Sequence, residues 1–172
     1  MKVYIDMDGT LTSYNRQHYE NNLWLEHPEV LTQSPPRIKH IPEDWIILTA
    51  TSTKREAHLK KAWARKYFPN NLIITLPKDF PKYIYAENSI LFDDYPKNLK
   101  EWQAHGGYSI KVLNGINSHQ TSIPEYSQEE LHTILESAVS LNLFSFKTPK
   151  YTHYIPLRKE DHRVDIPTSK LA

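Results

Sequence analysis

Five short apolar stretches dominate the hydrophobic pattern along the first two thirds of the chain. They lie at residues 3–5, 45–48, 72–75, 89–92 and 109–113. Each is rich in β-branched or aromatic residues, a composition that favours buried strands. Helical patterns alternate with these strands, and such alternation is typical of a central parallel sheet. The pattern therefore predicts an α/β protein whose sheet is flanked by helices.

The helix predicted at residues 53–67 has both a start signal and an inward face. Thr53 and Glu56 form a capping box, the pair that satisfies free N–H groups at a helix N-terminus. Helical spacing gives an expected inward face of Leu59, Ala62, Trp63 and Lys66.

Two later helices are predicted from similar signals. One begins at Pro96 and ends at the glycine pair 106–107, with Leu99 and Trp102 facing inward. The other covers residues 127–141 and docks on the core through an apolar stripe. Its capping box and its stripe consist of Ser127, Glu130, Leu131, Ile134, Leu135 and Ala138.

Size and composition narrow the class of protein. A chain of 172 residues suits one domain with a real core. The 21 basic and 20 acidic residues give a formal net charge of +1, without the basic field that marks many nucleic-acid binders. No cysteine is present, which excludes disulfides, thiolate metal sites and cysteine nucleophiles. No membrane-spanning or signal-peptide pattern is found, so we expect a cytoplasmic protein without a membrane partner.

Carboxylates follow directly after two of the predicted strands. Asp6 and Asp8 end the first strand, and Asp93 and Asp94 end the fourth. A carboxylate at the edge of a core is costly unless a metal, a proton or hydrogen bonds compensate it, so these pairs favour a functional site. An Asp-Gly turn that merely ends the strand is the alternative interpretation of the first pair.

The sequence around these carboxylates resembles a known family. Asp-Met-Asp-Gly-Thr at residues 6–10, after an N-terminal apolar strand, resembles the first motif of the haloacid dehalogenase (HAD) superfamily of phosphotransferases. Leu-Phe-Asp-Asp-Tyr-Pro at 91–96 and Trp-x-x-x-Gly-Gly at 102–107 are similar to the 5′(3′)-deoxyribonucleotidase branch. The resemblance covers residues 2–113. It implies a HAD-like (Rossmann-like) fold with a short cap insertion after the first strand.

The resemblance implies a magnesium-dependent phosphatase. Asp6 would attack phosphorus and form an aspartyl-phosphate, while Asp8 would protonate the leaving oxygen and later activate water. Mg²⁺, which prefers hard oxygen ligands, would be held by Asp6, the backbone carbonyl of Asp8 and Asp94. Asp93 would either bind the ion through water or hold the motif lysine.

The second and third family motifs hold and neutralise the phosphoryl group. The Thr49 hydroxyl and neighbouring backbone N–H groups, that of Ala50 among them, would hold a phosphoryl oxygen. The following helix directs positive partial charge toward this strand end. Lys82 is the expected motif lysine, because it lies eleven residues before Asp93, a spacing that suits nucleotidase-like members. Lys78 remains the alternative.

Residues 12–42 are interpreted as a small cap insertion. A short amphipathic helix is expected at 14–26, where Tyr14 and Trp24 would contact the substrate by stacking on a nucleobase. The alternative is that these aromatic side chains only pack the insertion onto the core. The expected organisation is a phosphatase domain at 1–144 and an extended or partly disordered tail at 145–172.

The expected substrate is a small phosphorylated molecule, most simply a (deoxy)nucleoside monophosphate cleaved by a 5′-nucleotidase. The small insertion and the modest basic excess of residues 145–172 instead favour a phosphorylated polynucleotide end, as in nucleic-acid repair. A binding protein that keeps the fold without catalysis is the third hypothesis. Loss of an acidic residue or of the threonine would mark it, and the sequence retains all of them.

Overall fold

The computed structural model describes residues 1–13, 21, 27–117, 122–140, 154–156 and 163–165. A six-stranded sheet forms its centre, and every neighbouring pair of strands in it is parallel. The strands are β1 (Lys2–Ile5), β2 (Ile46–Thr51), β3 (Leu72–Pro77), β4 (Ser89–Asp93), β5 (Tyr108–Leu113) and β6 (Glu125–Ser127). The predicted α/β architecture with a central parallel sheet is confirmed. Strand β6 was not predicted, because its three residues, Glu-Tyr-Ser, carry no apolar run.

Three helices pack on the sheet, with short 3₁₀ turns between elements. They are α1 (Lys54–Tyr67), α2 (Pro96–Ala104) and α3 (Gln128–Ser140), and the turns include Pro28–Thr32 and Lys82–Tyr85. The capping box before α3 is confirmed, since the Ser127 hydroxyl accepts from the Glu130 N–H at 3.0 Å and the Glu130 carboxylate accepts from the Ser127 N–H at 2.8 Å. Local sequence therefore sets these helix starts.

The two faces of the sheet bury different side chains. Val3 and Ile5 of β1 pack on one face with Trp63 of α1, whereas Tyr4 packs on the other. This follows from the two-residue period of a strand. Leu99 and Trp102 of α2 are fully buried against the Tyr4 face, as predicted. Burying a leucine in this way contributes about 1.5–3 kcal/mol.

The predicted inward face of α1 is partly wrong. Ala62 and Lys66 are exposed, and Leu59 is only half-buried. The buried residues of this helix are Glu56, Lys60, Trp63 and Ala64. Glu56 and Lys60 are charged, yet both are buried, because they form ion pairs near the carboxyl end of the sheet.

The order of strands in the sheet, β3-β2-β1-β4-β5-β6, brings β1 and β4 together. The chain first moves outward from β1 to β3 and then returns to build the other half from β4. Ile5 pairs with Phe92, so the residues that follow these two strands emerge side by side. Crevices at the carboxyl ends of strands at such a reversal are where open α/β sheets bind ligands.

Several predictions fall outside the described residues. They include the helix at 14–26 with Tyr14 and Trp24, so the cap insertion stays a prediction, as does the division between domain 1–144 and tail 145–172. Within the tail, β7 (Tyr154–Pro156) and β8 (Arg163–Asp165) pair antiparallel. In the part of the chain that the structure describes, no helix combines the length and apolar character needed to cross a bilayer.

Candidate active site

Three carboxylates meet where β1 and β4 end. Asp6 follows β1, Asp93 is the last residue of β4 and Asp94 follows it. Each offers an oxygen that lies within 4.8 Å of the others, and all three residues are buried. The two acidic motifs, separated by more than eighty residues in the chain, thus form one cluster.

Lys82 is the cation inside this cluster. Its Nζ donates to Asp6 Oδ1 at 2.6 Å and to Asp93 Oδ2 at 2.8 Å, and the residue is only 7% exposed. Burial opposes its charge, yet Asp6 and Asp93 raise the pKa of the Lys82 ammonium above its ordinary value. Lys78 is exposed and lines the outer part of the neighbouring cavity. Of the two lysines considered from sequence, Lys82 is the one that the structure places on Asp6.

Both carboxylate oxygens of Asp93 accept hydrogen bonds from other residues of the protein. Besides Lys82, its carboxylate accepts from the Asn98 side chain at 2.9 Å and from the backbone N–H of Tyr95 at 2.8 Å. These contacts match the second of the two roles considered for Asp93, which is to hold the lysine.

Asp94 is held by residues that sequence reasoning missed. Its Oδ2 accepts from the Asn114 amide at 2.8 Å and from the Asn117 amide at 2.5 Å. Lys111, fully buried in β5, donates to the backbone carbonyl of Asp94. A lysine inside the apolar run at 109–113 was the signal in the sequence, because its β5 position pairs directly with Asp93.

The cluster carries more negative charge than Lys82 can balance. Burial raises the pKa of the Asp6 carboxyl to about 7 despite Lys82, with Asp93 and Asp8 adding to the rise. Burial, Asp93 and Asp6 together raise the pKa of the Asp94 carboxyl to about 8. Burial and the repulsion between the carboxylates therefore favour either a proton or a bound cation at this site. Oxygen donors with surplus negative charge fit Mg²⁺, with Asp6 and Asp94 as the carboxylates that would hold it.

Asp8 lies beside the cluster with its carboxylate turned to another partner. Its Oδ2 accepts from Lys60 Nζ at 2.5 Å and from the Thr49 hydroxyl at 3.3 Å. Its Oδ1 is buried and has no hydrogen-bond partner among the described residues. Two partners therefore fix Oδ2, whereas Oδ1 is enclosed without one among the described residues.

Lys60 is the most important residue that sequence reasoning missed. It is 1% exposed, and its Nζ also contacts Glu56 Oε1 at 2.8 Å and the Ala50 carbonyl at 2.7 Å. Burial opposes its charge, but Asp8 and Glu56 raise the pKa of the Lys60 ammonium. The available signal was a Glu and a Lys four residues apart in the helix that follows β2, which places both on one face.

Thr49 and Ala50 end up in different surroundings. Thr49 is fully buried, and its hydroxyl donates to Asp8. Ala50 is half-buried and lines the cavity. The predicted contact of the Thr49 hydroxyl with a phosphoryl oxygen stays a prediction, whereas its contact with Asp8 is an additional positioning role.

The turn that carries Asp6 and Asp8 is held in shape by its neighbours. Gly9 has a φ of +76°, and a Cβ there would lie 2.6 Å from the Asn114 amide nitrogen and 2.7 Å from Asp94 Oδ2. Only glycine fits this conformation and space. The Gln128 amide, at the start of α3, donates to the carbonyls of Gly9, Thr10 and Thr12 at 2.8–3.1 Å.

A cavity of about 810 Å³ opens beside the carboxylates. Its inner wall is formed by Asp6, Asp8, Ala50, Lys82, Asp93, Asp94 and Asn117. The outer wall is formed by the loop after β3 and by the start of α2. Of the predicted site residues, Tyr14 and Trp24 lie outside the described residues, so their contact with a substrate stays a prediction.

We expect Lys60→Met to destabilise the protein by about 3–5 kcal/mol, because it leaves the buried Glu56 and the half-buried Asp8 without their shared cation. Urea denaturation gives the free energy of unfolding. The matched control is Lys60→Met combined with Glu56→Gln, which leaves only one uncompensated carboxylate and should lose less stability. Equal losses in the single and double variants would contradict the shared ion-pair network.

No protein-family model matches this sequence, and a search of curated proteins returned no match.

Proposed function

We propose that this protein is a magnesium-dependent phosphomonoesterase of the HAD type that works through an aspartyl-phosphate. One observation carries the proposal: Asp6, Asp93 and Asp94 converge within 4.8 Å at the point where β1 and β4 end, with Lys82 2.6 Å from Asp6. A carboxylate nucleophile, a cation for the phosphoryl charge and oxygen ligands for a metal thus lie together. The resemblance of residues 6–10 and 91–96 to HAD motifs supports the same chemistry.

Asp6 is the proposed nucleophile. One of its oxygens forms a bond to phosphorus while the bond from phosphorus to the leaving oxygen breaks, and Asp8 supplies the proton that the leaving oxygen takes up. Asp8 then takes a proton from water, which attacks phosphorus and breaks the bond to Asp6. Inorganic phosphate leaves, and both carboxylates return to their starting state.

The contacts around Asp8 hold its carboxylate at the wall of the cavity, where this proton exchange would take place. Lys60 and Thr49 bind Oδ2 and fix the carboxylate, while Oδ1 has no partner among the described residues. Lys82 neutralises charge on the phosphoryl oxygens in a buried setting, where an electrostatic contact is stronger than in water.

The proposed metal site uses Asp6, Asp94 and the backbone carbonyl of Asp8. A bound Mg²⁺ would withdraw charge from the phosphoryl group and orient it for in-line attack. The pKa values of Asp6 and Asp94 are raised first by burial and then by neighbouring carboxylates, and a cation bound between the two groups would offset both effects.

The charges at the cavity favour a mononucleotide over a polynucleotide end. Lys78 and Lys97 on the outer wall are accompanied by Asp79 and Glu101, and Lys97 lies 3.8 Å from Glu101. A polynucleotide binder neutralises several phosphates with an excess of basic residues. We therefore propose a 5′-nucleotidase acting on (deoxy)nucleoside monophosphates.

A phosphate-release screen tests the function. The purified protein is assayed with nucleoside monophosphates, sugar phosphates and 3′- or 5′-phosphorylated oligonucleotides, with Mg²⁺ and with a chelator. We expect release from nucleoside monophosphates only when Mg²⁺ is present. A preference for oligonucleotides that falls steeply with salt would replace the nucleotidase proposal by end repair. No release from any phosphomonoester would contradict the phosphatase proposal itself.

A further inference from the structure

The cavity is larger than a phosphoryl group needs. Its volume of about 810 Å³ is in the range of pockets that enclose most of a small organic ligand, roughly 300–1,000 Å³. Asp6, Phe80 and Tyr95 all line this cavity. With the phosphoryl group at Asp6, the group esterified to it would occupy the space beside these aromatic residues.

Phe80 and Tyr95 are exposed to an unusual degree. Phe80 is 56% exposed in the loop after β3, and Tyr95 is 51% exposed immediately before α2. Among the described residues, the other large hydrophobic side chains with comparable exposure are Leu72 and Ile84, and neither lines this cavity. Exposed apolar ring surface is unfavourable in water, and a planar ligand that covers it gains the free energy of burial and stacking.

Beside these rings, positively and negatively charged side chains are equal in number. Lys78 and Asp79 precede Phe80 in the chain, and Lys97 pairs with Glu101 at 3.8 Å on α2. The outer wall thus offers aromatic surface without surplus positive charge. It suits an uncharged aromatic group better than a second phosphate.

We propose that Phe80 and Tyr95 form a subsite that stacks on an uncharged aromatic group carried by the leaving alcohol, which is the base when the substrate is a nucleotide. This inference rests on the proposed phosphatase function and deepens it by naming the residues that select the substrate. Base recognition would then come from loops at the end of the sheet, in addition to any contribution from Tyr14 and Trp24.

The test compares a nucleotide with a sugar phosphate that carries a hydroxyl at C1 in place of the base. The kcat/KM values are measured for a deoxynucleoside 5′-monophosphate and for deoxyribose 5-phosphate in the parent, Phe80→Ala and Tyr95→Ala proteins. We expect each substitution to lower the nucleotide value roughly 5- to 150-fold, as the loss of one base-stacking contact would, and to leave the sugar phosphate value nearly unchanged. Leu72→Ala is the control, because it removes an equally exposed apolar side chain at the opposite end of the sheet.

Equal losses on both substrates, or no loss on the nucleotide, would overturn the subsite. Direct binding separates this failure from failure of the phosphatase proposal. Calorimetric titration with the two ligands should show tighter binding of the nucleotide, and Phe80→Ala should remove most of the difference. If the parent protein releases no phosphate but this binding difference is found, the subsite stands and the catalytic proposal falls. Equal binding of the two ligands overturns the subsite whatever the catalytic result.

Discussion

Asp6→Asn should reduce phosphate release by several orders of magnitude while the protein stays folded, as is common when a nucleophile is lost. An amide is a poor nucleophile and a poor ligand for Mg²⁺, so the substitution removes both proposed roles of Asp6. The fold should survive, because asparagine has nearly the same shape and the burial of charge at this position is itself unfavourable.

Initial rates of phosphate release from a nucleoside monophosphate measure this effect, and circular dichroism with thermal melting checks the fold. Asp79→Asn is the matched control, since Asp79 is an exposed carboxylate that lines the outer part of the same cavity. It should retain nearly full activity. Near-normal release by Asp6→Asn would end the aspartyl-phosphate proposal, because no other side chain has been assigned the attack on phosphorus.

The second large effect should distinguish two lysines. Lys82→Ala is expected to lower kcat roughly 10²- to 10³-fold, in the range measured when a group that stabilises transition-state charge is removed. Its Nζ lies 2.6 Å from Asp6, within the buried cluster. Lys78→Ala, which removes an exposed lysine of the same cavity, should change kcat little.

Stability should separate the two variants as well. Without Lys82, Asp6 and Asp93 remain buried without the cation that they share, so Lys82→Ala should melt at a lower temperature than Lys78→Ala. Both rates are therefore compared at a temperature where both variants are folded. A larger loss of activity in Lys78→Ala would move the charge-neutralising role to Lys78.

Local patterns in the sequence were sufficient for the strands, the capping box before α3 and the fold class. Five strands were predicted from apolar runs, and each appears in the sheet with shifts of a few residues at its ends. The Ser127 to Glu130 capping box forms as predicted, because its bonds join residues three apart in the chain. Hydrophobic periodicity and capping depend on near neighbours, which the sequence displays directly.

The candidate site was predicted only where chain order and strand topology were enough. Asp6, Asp93 and Asp94 follow two strands, and the carboxyl ends of parallel strands lie at one edge of a sheet, so their convergence followed from the fold class. From the sequence, Lys82 was preferred over Lys78 only because its distance from Asp93 in the chain resembles that in nucleotidase-like HAD proteins. The structure was needed for this choice, because the path of the loop after β3 decides which ammonium reaches Asp6.

Only the tertiary structure identified Lys60, Glu56, Asn114, Asn117 and Gln128 as parts of the site. Lys60 contacts Asp8 across 52 positions of the chain, and Gln128 binds the turn at Gly9 across 119 positions. The predicted inward face of α1 included Lys66 and left Lys60 out, because it was drawn through the apolar positions of the helix and took no account of ion pairs. A buried charge is tolerated only beside its partner. For Lys60 one such partner is Asp8, which follows the distant strand β1. The sequence alone therefore determined the sheet and the carboxylates at its edge. Only the tertiary structure decided which lysine and amide side chains hold those carboxylates in place.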